Sequence, residues 1–226
     1  MRALLTILFT LLTTIVFADS AGCPKYDRKS YRHWIDEDRD CQNARHEVLI
    51  EESLSTVGFK SSKGCRVVSG SWNDPYSGRT ITDATKLDID HMVPLKEAHQ
   101  SGAANWSRER KRAYANDLDD PDTLIAVDRR LNRQKGAKDP AEWLPPNPAY
   151  QTEYVRAWVA VKLKWGLTAD RRELMALRKL LENQVELPRE APEMNCTAIG
   201  QSSQVTLPSA GFKVVCGSKR YCRQMN

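Results

Sequence analysis

Apolar positions along the chain fall into several spacings, each predicting a different element. Behind Arg2, Ala3 to Phe17 is an uncharged, mainly apolar run closing on Val16-Phe17-Ala18. It is shorter than the about 20 residues of a membrane helix, so residues 1–18 read as a secretory signal peptide. No later stretch is apolar enough to span a bilayer. Helical spacing recurs at Tyr150, Tyr154, Trp158, Val161 and Trp165, predicting an amphipathic helix whose stripe is core. Asn43 to Ser53 and the basic Ser107 to Asp117 also read as helices, and a further one is expected from an N-cap at Thr168 to about Gln184. Short β-prone pieces stand at Arg66-Val67-Val68 and Thr80-Ile81-Thr82, separated by the turn-forming text Trp72 to Gly78.

The middle of the chain carries the most specific order. Leu87 to Leu95 reads as a short strand or extended turn ended by Pro94, and Leu124-Ile125-Ala126-Val127 as a strand. Asp128 then caps a helix through Arg129 to Arg133 that Gly136 stops. Strand, connection, strand, helix, set among other helices, predicts an α+β fold. The prolines at 140, 145, 146 and 148 mark a rigid connector. One domain over 19–187 and a cysteine-containing tail over 188–226 are expected.

Composition changes this picture modestly. Lys and Arg number 34 against 29 Asp and Glu in 226 residues, a surplus too small to identify a polyanionic partner by itself. All six cysteines (23, 41, 65, 196, 216 and 222) lie beyond the signal peptide, and an even count in an exported chain favours disulfides. Cys41 and Cys65 are expected to pair, because the text between them reads as one helix returning to one strand. Pairing of the other four stays open.

Candidate chemistry concentrates in Asp88-Ile89-Asp90-His91-Met92-Val93-Pro94-Leu95. Phosphodiester hydrolysis needs a base for water and a cation for the charge that builds on the phosphoryl oxygens. At an irregular strand end, Asp90 could hold that cation while His91 acts as the base. Asn132, in the helix after the next strand, adds an amide oxygen, and hard oxygen donors suit Mg2+, with Mn2+ close behind. The cations of Arg129, Arg130, Arg133, Lys135 and Lys138 flank Asn132, and Lys135, Arg133 and Lys138 are the expected phosphate contacts. His99 reads as structural, and His33 and His46 as surface residues. Asp36, Asp38 and Asp40 alternate as in calcium loops, but Cys41 stands where glycine is expected at the sharp turn, no glutamate is expected to close the loop at its twelfth position, and the segment reads as a loop.

Taken together, Asp90-His91, the strand Leu124 to Val127, Asn132 with Lys135-Gly136, and Lys138-Asp139-Pro140-Ala141-Glu142-Trp143-Leu144-Pro145 resemble the secreted HNH endonuclease group. The same residues are similar to the nuclease half of certain modified-DNA restriction enzymes and, more distantly, to the HNH domain of the RNA-guided CRISPR nuclease. The likeness runs over roughly 26–167. It implies a ββα-metal fold, His91 as general base, Asp90 and Asn132 as metal ligands, and Asp88 as an alternative ligand. It also implies a secreted, metal-dependent enzyme that cuts DNA, and RNA as a second substrate, with little sequence preference. At Thr123 the chain departs from the pattern, where related modules often carry an Asn that braces the histidine loop. Two rivals stand beside this reading: a secreted nucleic-acid-binding protein without turnover, and a hydrolase of another phosphodiester.

Overall fold

A computed structural model describes residues 24–181, 204–206 and 213–215. The expected signal peptide therefore lies outside the described residues, as does most of the tail. Among the described residues, no helix is long and apolar enough to cross a membrane.

Asn43 begins the first helix, α1 (Ala44–Glu51), by accepting the N–H groups of Arg45 and His46 on its side-chain oxygen. The chain then forms the antiparallel sheet β1 (Gly58–Phe59), β2 (Val67–Asp74) and β3 (Arg79–Asp83). β2 runs further than its β-prone text because Trp72, Asn73 and Asp74 pair with Ile81, Thr80 and Arg79 of β3, and the Trp72 indole N–H reaches the Leu49 carbonyl of α1 at 2.8 Å. Cys41 and Cys65 form a disulfide with Cα atoms 5.0 Å apart, tying the entry of α1 to the entry of β2 as expected.

β4 (Leu87–His91) pairs antiparallel with β5 (Leu124–Asp128), in a register that sets His91 opposite Leu124. Between them lie α2 (Leu95–Gln100) and the basic α3 (Arg108–Ala115), which Ser107 caps. α4 (Arg129–Lys135) follows β5 directly. Asp128 accepts from Arg130 and Leu131 N–H at its start, and Gly136, at φ 58°, ends it. Thus β4, β5 and α4 form the expected ββα unit within an α+β fold.

Strand alternation divides the interior in two. Leu87, Ile89, Leu124 and Ala126 join Val48, Leu49 and Trp72 in a core against α1 and β2. Ile125, Val127 and Leu131 join Leu95, Tyr154 and Trp158 in the larger core, under α5 (Gln151–Trp165). The outer edge of β5 is closed by side chains: Glu52 accepts the Ala126 N–H at 3.0 Å and Asp74 the Asp128 N–H at 3.0 Å. α6 (Arg171–Leu181) starts later than expected. Asp170, not Thr168, caps it by accepting the Glu173 N–H, while the Thr168 hydroxyl donates to the Ser101 carbonyl. In the tail, β6 (Gln204–Thr206) and β7 (Lys213–Val215) pair antiparallel.

Candidate active site

Because β4 keeps strand alternation to its end, neighbouring residues of the motif turn to opposite faces. Asp88 and Asp90 turn to α4, whereas His91 turns toward Trp34 and the end of α3. The convergence of Asp90 and His91 expected from their adjacency is not what the side chains show.

His91 is 5 % exposed. Its Nε2 lies 3.0 Å from the Ala115 carbonyl oxygen, which can only accept, so Nε2 carries the proton and Nδ1 keeps its lone pair. Burial drives the imidazole pKa down to about 3, partly offset by the Ala115 bond. The ring is therefore neutral across the physiological range, and it packs against Trp34 and Tyr114 at centroid distances of 5.6 and 6.1 Å. The loop after it is braced from Thr123, whose carbonyl accepts the Met92 N–H at 3.0 Å while its buried hydroxyl donates to Asp117 at 2.8 Å. The departure at Thr123 thus leaves a brace in place, made by backbone.

Asp90 holds a cation, but that cation is Lys135. The Lys135 ammonium meets Asp90 Oδ2 and donates to the carbonyls of His91 (3.1 Å) and Met92 (2.8 Å), and the Tyr76 hydroxyl donates to the same carboxylate at 2.5 Å. Lys135 has no exposed surface, so the expectation that it faces phosphate is corrected: it is an internal counter-ion, 4 residues after the core residue Leu131 and on the same helical face. That spacing was the sequence signal available. Burial pushes the Asp90 carboxyl up and the Lys135 ammonium down, and each group opposes the other's shift.

Nearer solvent, Asn132 donates to Asp88 Oδ2 at 3.4 Å, and the Arg133 guanidinium lies 3.9 Å from the same oxygen. Arg133 is exposed and, with Arg129, Arg130 and Gln134, lines an open depression of about 360 Å3. Lys138 is exposed too, with its ammonium on the Gln134 carbonyl at 2.8 Å.

Of the donors expected to hold a metal, Asp88 and Asn132 lie side by side and partly open, but the Asn132 amide nitrogen is what faces Asp88 Oδ2, so its oxygen would join the carboxylate as a hard donor for a hydrated dication once the amide turns over. Asp90, already neutralised by an ammonium and a phenol, fits that role poorly. Elsewhere, oxygens of Asp36, Asp38 and Asp40 lie within 4.8 Å of one another, as do those of Asp139, Asp170 and Glu173. The expectation that no glutamate closes the first of these groups is corrected: Glu47 is the twelfth residue from Asp36, the position at which a calcium loop closes. Cys41 takes φ 80°, the left-handed turn that glycine makes in such loops.

Of the other histidines, His99 is structural as expected, its ring nitrogens 2.7 Å from the Pro24 carbonyl and 3.3 Å from the Tyr31 hydroxyl. His46, expected at the surface, is half-buried and accepts the Val67 N–H on Nδ1 at 3.3 Å.

Residues 44–180 match the family described as GmrSD restriction endonucleases, C-terminal domain. An uncharacterized secreted protein of Arthroderma benhamiae is 39% identical over 156 residues, which cover 69% of this chain and 74% of that protein. No solved structure gives a significant match. The ββα unit, with its histidine at the end of the first strand and its asparagine on the helix, falls wholly within the matched span, and the chain belongs to the family of GmrSD restriction endonuclease C-terminal domains.

Proposed function

We propose that this chain is a secreted endonuclease that hydrolyses DNA, and RNA as a second substrate, with little sequence preference and with a divalent cation. The observation that carries the reading is the state of His91: a neutral imidazole, its Nε2–H fixed on a backbone carbonyl and its Nδ1 lone pair left without a proton. That is the form a general base needs. A phosphodiester bound beside the ring favours the imidazolium and raises the pKa toward the range where a base works best.

Asp88 and Asn132 would hold Mg2+, or Mn2+ in its place. When bound, the ion supplies charge stabilisation at the phosphoryl and leaving oxygens. Asp90 acts one layer deeper: through Lys135 it ties α4 to the carbonyls of His91 and Met92, which sets Asn132 relative to the histidine strand. Arg129, Arg130, Arg133 and Lys138 supply sequence-independent attraction to the backbone, which weakens as salt rises. Export agrees with the Cys41–Cys65 disulfide and with a relative labelled as secreted.

The test is incubation of oxidised protein with supercoiled plasmid, with structured RNA and with a small phosphodiester, in Mg2+, Mn2+ and EDTA. Metal-dependent nicking of plasmid supports the proposal. Binding without cutting under any cation would favour the non-catalytic rival, and turnover of the small ester alone would favour the other hydrolase.

A further inference from the structure

His91 is covered by a segment that precedes the family match, and that segment is held in an unfavourable backbone conformation. After a 3-10 helix at Arg28–Tyr31, the chain enters the left-handed region at Arg32 (φ 39°) and again at Trp34 (φ 62°). Neither residue is glycine, so surrounding contacts must hold these conformations in place. Asn116 does so from both sides of Trp34. Its Nδ2 donates to the Arg32 carbonyl at 2.9 Å and to the Arg112 carbonyl at 2.8 Å, and its Oδ1 accepts the Ile35 N–H at 3.0 Å. An ion pair of Arg112 with Glu37 fastens the same segment to α3.

The residue before this clamp is Ala115, whose carbonyl receives the His91 Nε2–H. That bond sets the tautomer only while the ring stays in line with the carbonyl, and the ring is kept there by what packs on it, Trp34 and Tyr114. The Trp34 indole packs against the ring with its centroid 5.6 Å away and its plane tilted by 34°. Ala115 and Asn116, adjacent in sequence, therefore control the histidine in two ways: one sets its tautomer and the other places its backing wall.

We infer that Trp34, clamped by Asn116, is a positioning residue that holds the His91 imidazole with Nδ1 directed for proton transfer. The inference rests on His91 being the base. It makes residues 32–37, outside the matched span of 44–180, part of the catalytic apparatus of this chain.

The experiment measures kcat and KM on a duplex oligonucleotide at saturating Mg2+ for Trp34→Ala, Trp34→Phe, Asn116→Ala and His91→Ala, each checked for folding by thermal melting. Misplacing a reacting group by about 1 Å costs on the order of 100-fold. Trp34→Ala and Asn116→Ala are thus expected to lower kcat roughly 10- to 100-fold with KM changed less than about 3-fold. Trp34→Phe, which keeps an aromatic wall, restores most of the loss. Nitrogen-15 NMR of the His91 ring gives a readout independent of turnover: one Nε2–H tautomer in the wild type, and averaging of the two in Trp34→Ala. A folded Trp34→Ala with unchanged kcat, a loss carried wholly by KM, or a retained single tautomer would overturn the inference. Full activity in His91→Ala would remove the base reading instead, and the tautomer measurement would still decide whether Trp34 orients the ring.

Discussion

A charged side chain in a basic stretch of sequence looks like solvent-facing surface until its partner is found. Lys135 shows this most clearly, since its ammonium is spent inside the protein on Asp90, Tyr76 and two carbonyls. Removing one member of a buried pair leaves an uncompensated charge, which typically costs about 3–5 kcal/mol. Lys135→Met is therefore expected to lower unfolding stability by that amount in urea melts, and adding Asp90→Asn is expected to recover part of it. Asp88 and Asp90 separate by the same logic. Asp88→Asn should raise the Mg2+ concentration needed for half-maximal cleavage with little change in melting temperature, whereas Asp90→Asn should chiefly lower the melting temperature. A folded Asp90→Asn of normal stability with a raised metal requirement would return Asp90 to the ligand set.

Elements were legible where sequence carries their boundaries. The helix at α4 could be read because Asp128 is an N-cap and Gly136 a stop, and α1 because Asn43 caps it; both hold in the structure. The disulfide followed from the helix-to-strand return between its cysteines. What sequence does not carry is whether a strand keeps its alternation to its last residue. Adjacent Asp90 and His91 suggested one shared volume, yet the strand's period of two sends them to opposite faces. Buried ion pairs across distant segments were equally invisible. Lys162 in α5, without exposed surface, meets Glu97 of α2 at 3.0 Å and Glu173 of α6 at 2.5 Å, and nothing local announces it.

The edge of β5 gives a prediction at this scale. Burial raises the Glu52 carboxyl from 4.5 to about 7, although the Ala126 N–H pulls it down. A pKa higher in the folded state means that the folded protein binds more protons between these two values, so stability is greatest below about pH 4.5 and is lost as pH rises to about 7. The loss is on the order of 3 kcal/mol at most. Glu52→Gln should flatten this part of the stability-against-pH curve, measured by denaturant melts from pH 5 to 8. An unchanged slope would show that Glu52 is not its source.

For the whole molecule, the ββα unit is a small two-stranded sheet and one short helix, which cannot bury itself. Its stability comes from two cores, one on α1 and β2 and the other under α5, and the Cys41–Cys65 bridge closes the smaller of them. Reduction of that bridge is expected to cost about 2–4 kcal/mol, read as a lower urea midpoint in dithiothreitol. The proposed reading divides labour across the molecule: β4 supplies the histidine and Asp88, α4 Asn132 and the exposed arginines, and α3 the carbonyl that meets the histidine ring. The measurement that bears most directly on this account is nicking of supercoiled plasmid in Mg2+ by wild type and by His91→Ala of matched melting temperature. The account predicts metal-dependent nicking by wild type and a loss of at least about 100-fold in the variant; near-wild-type nicking by a folded His91→Ala would contradict it.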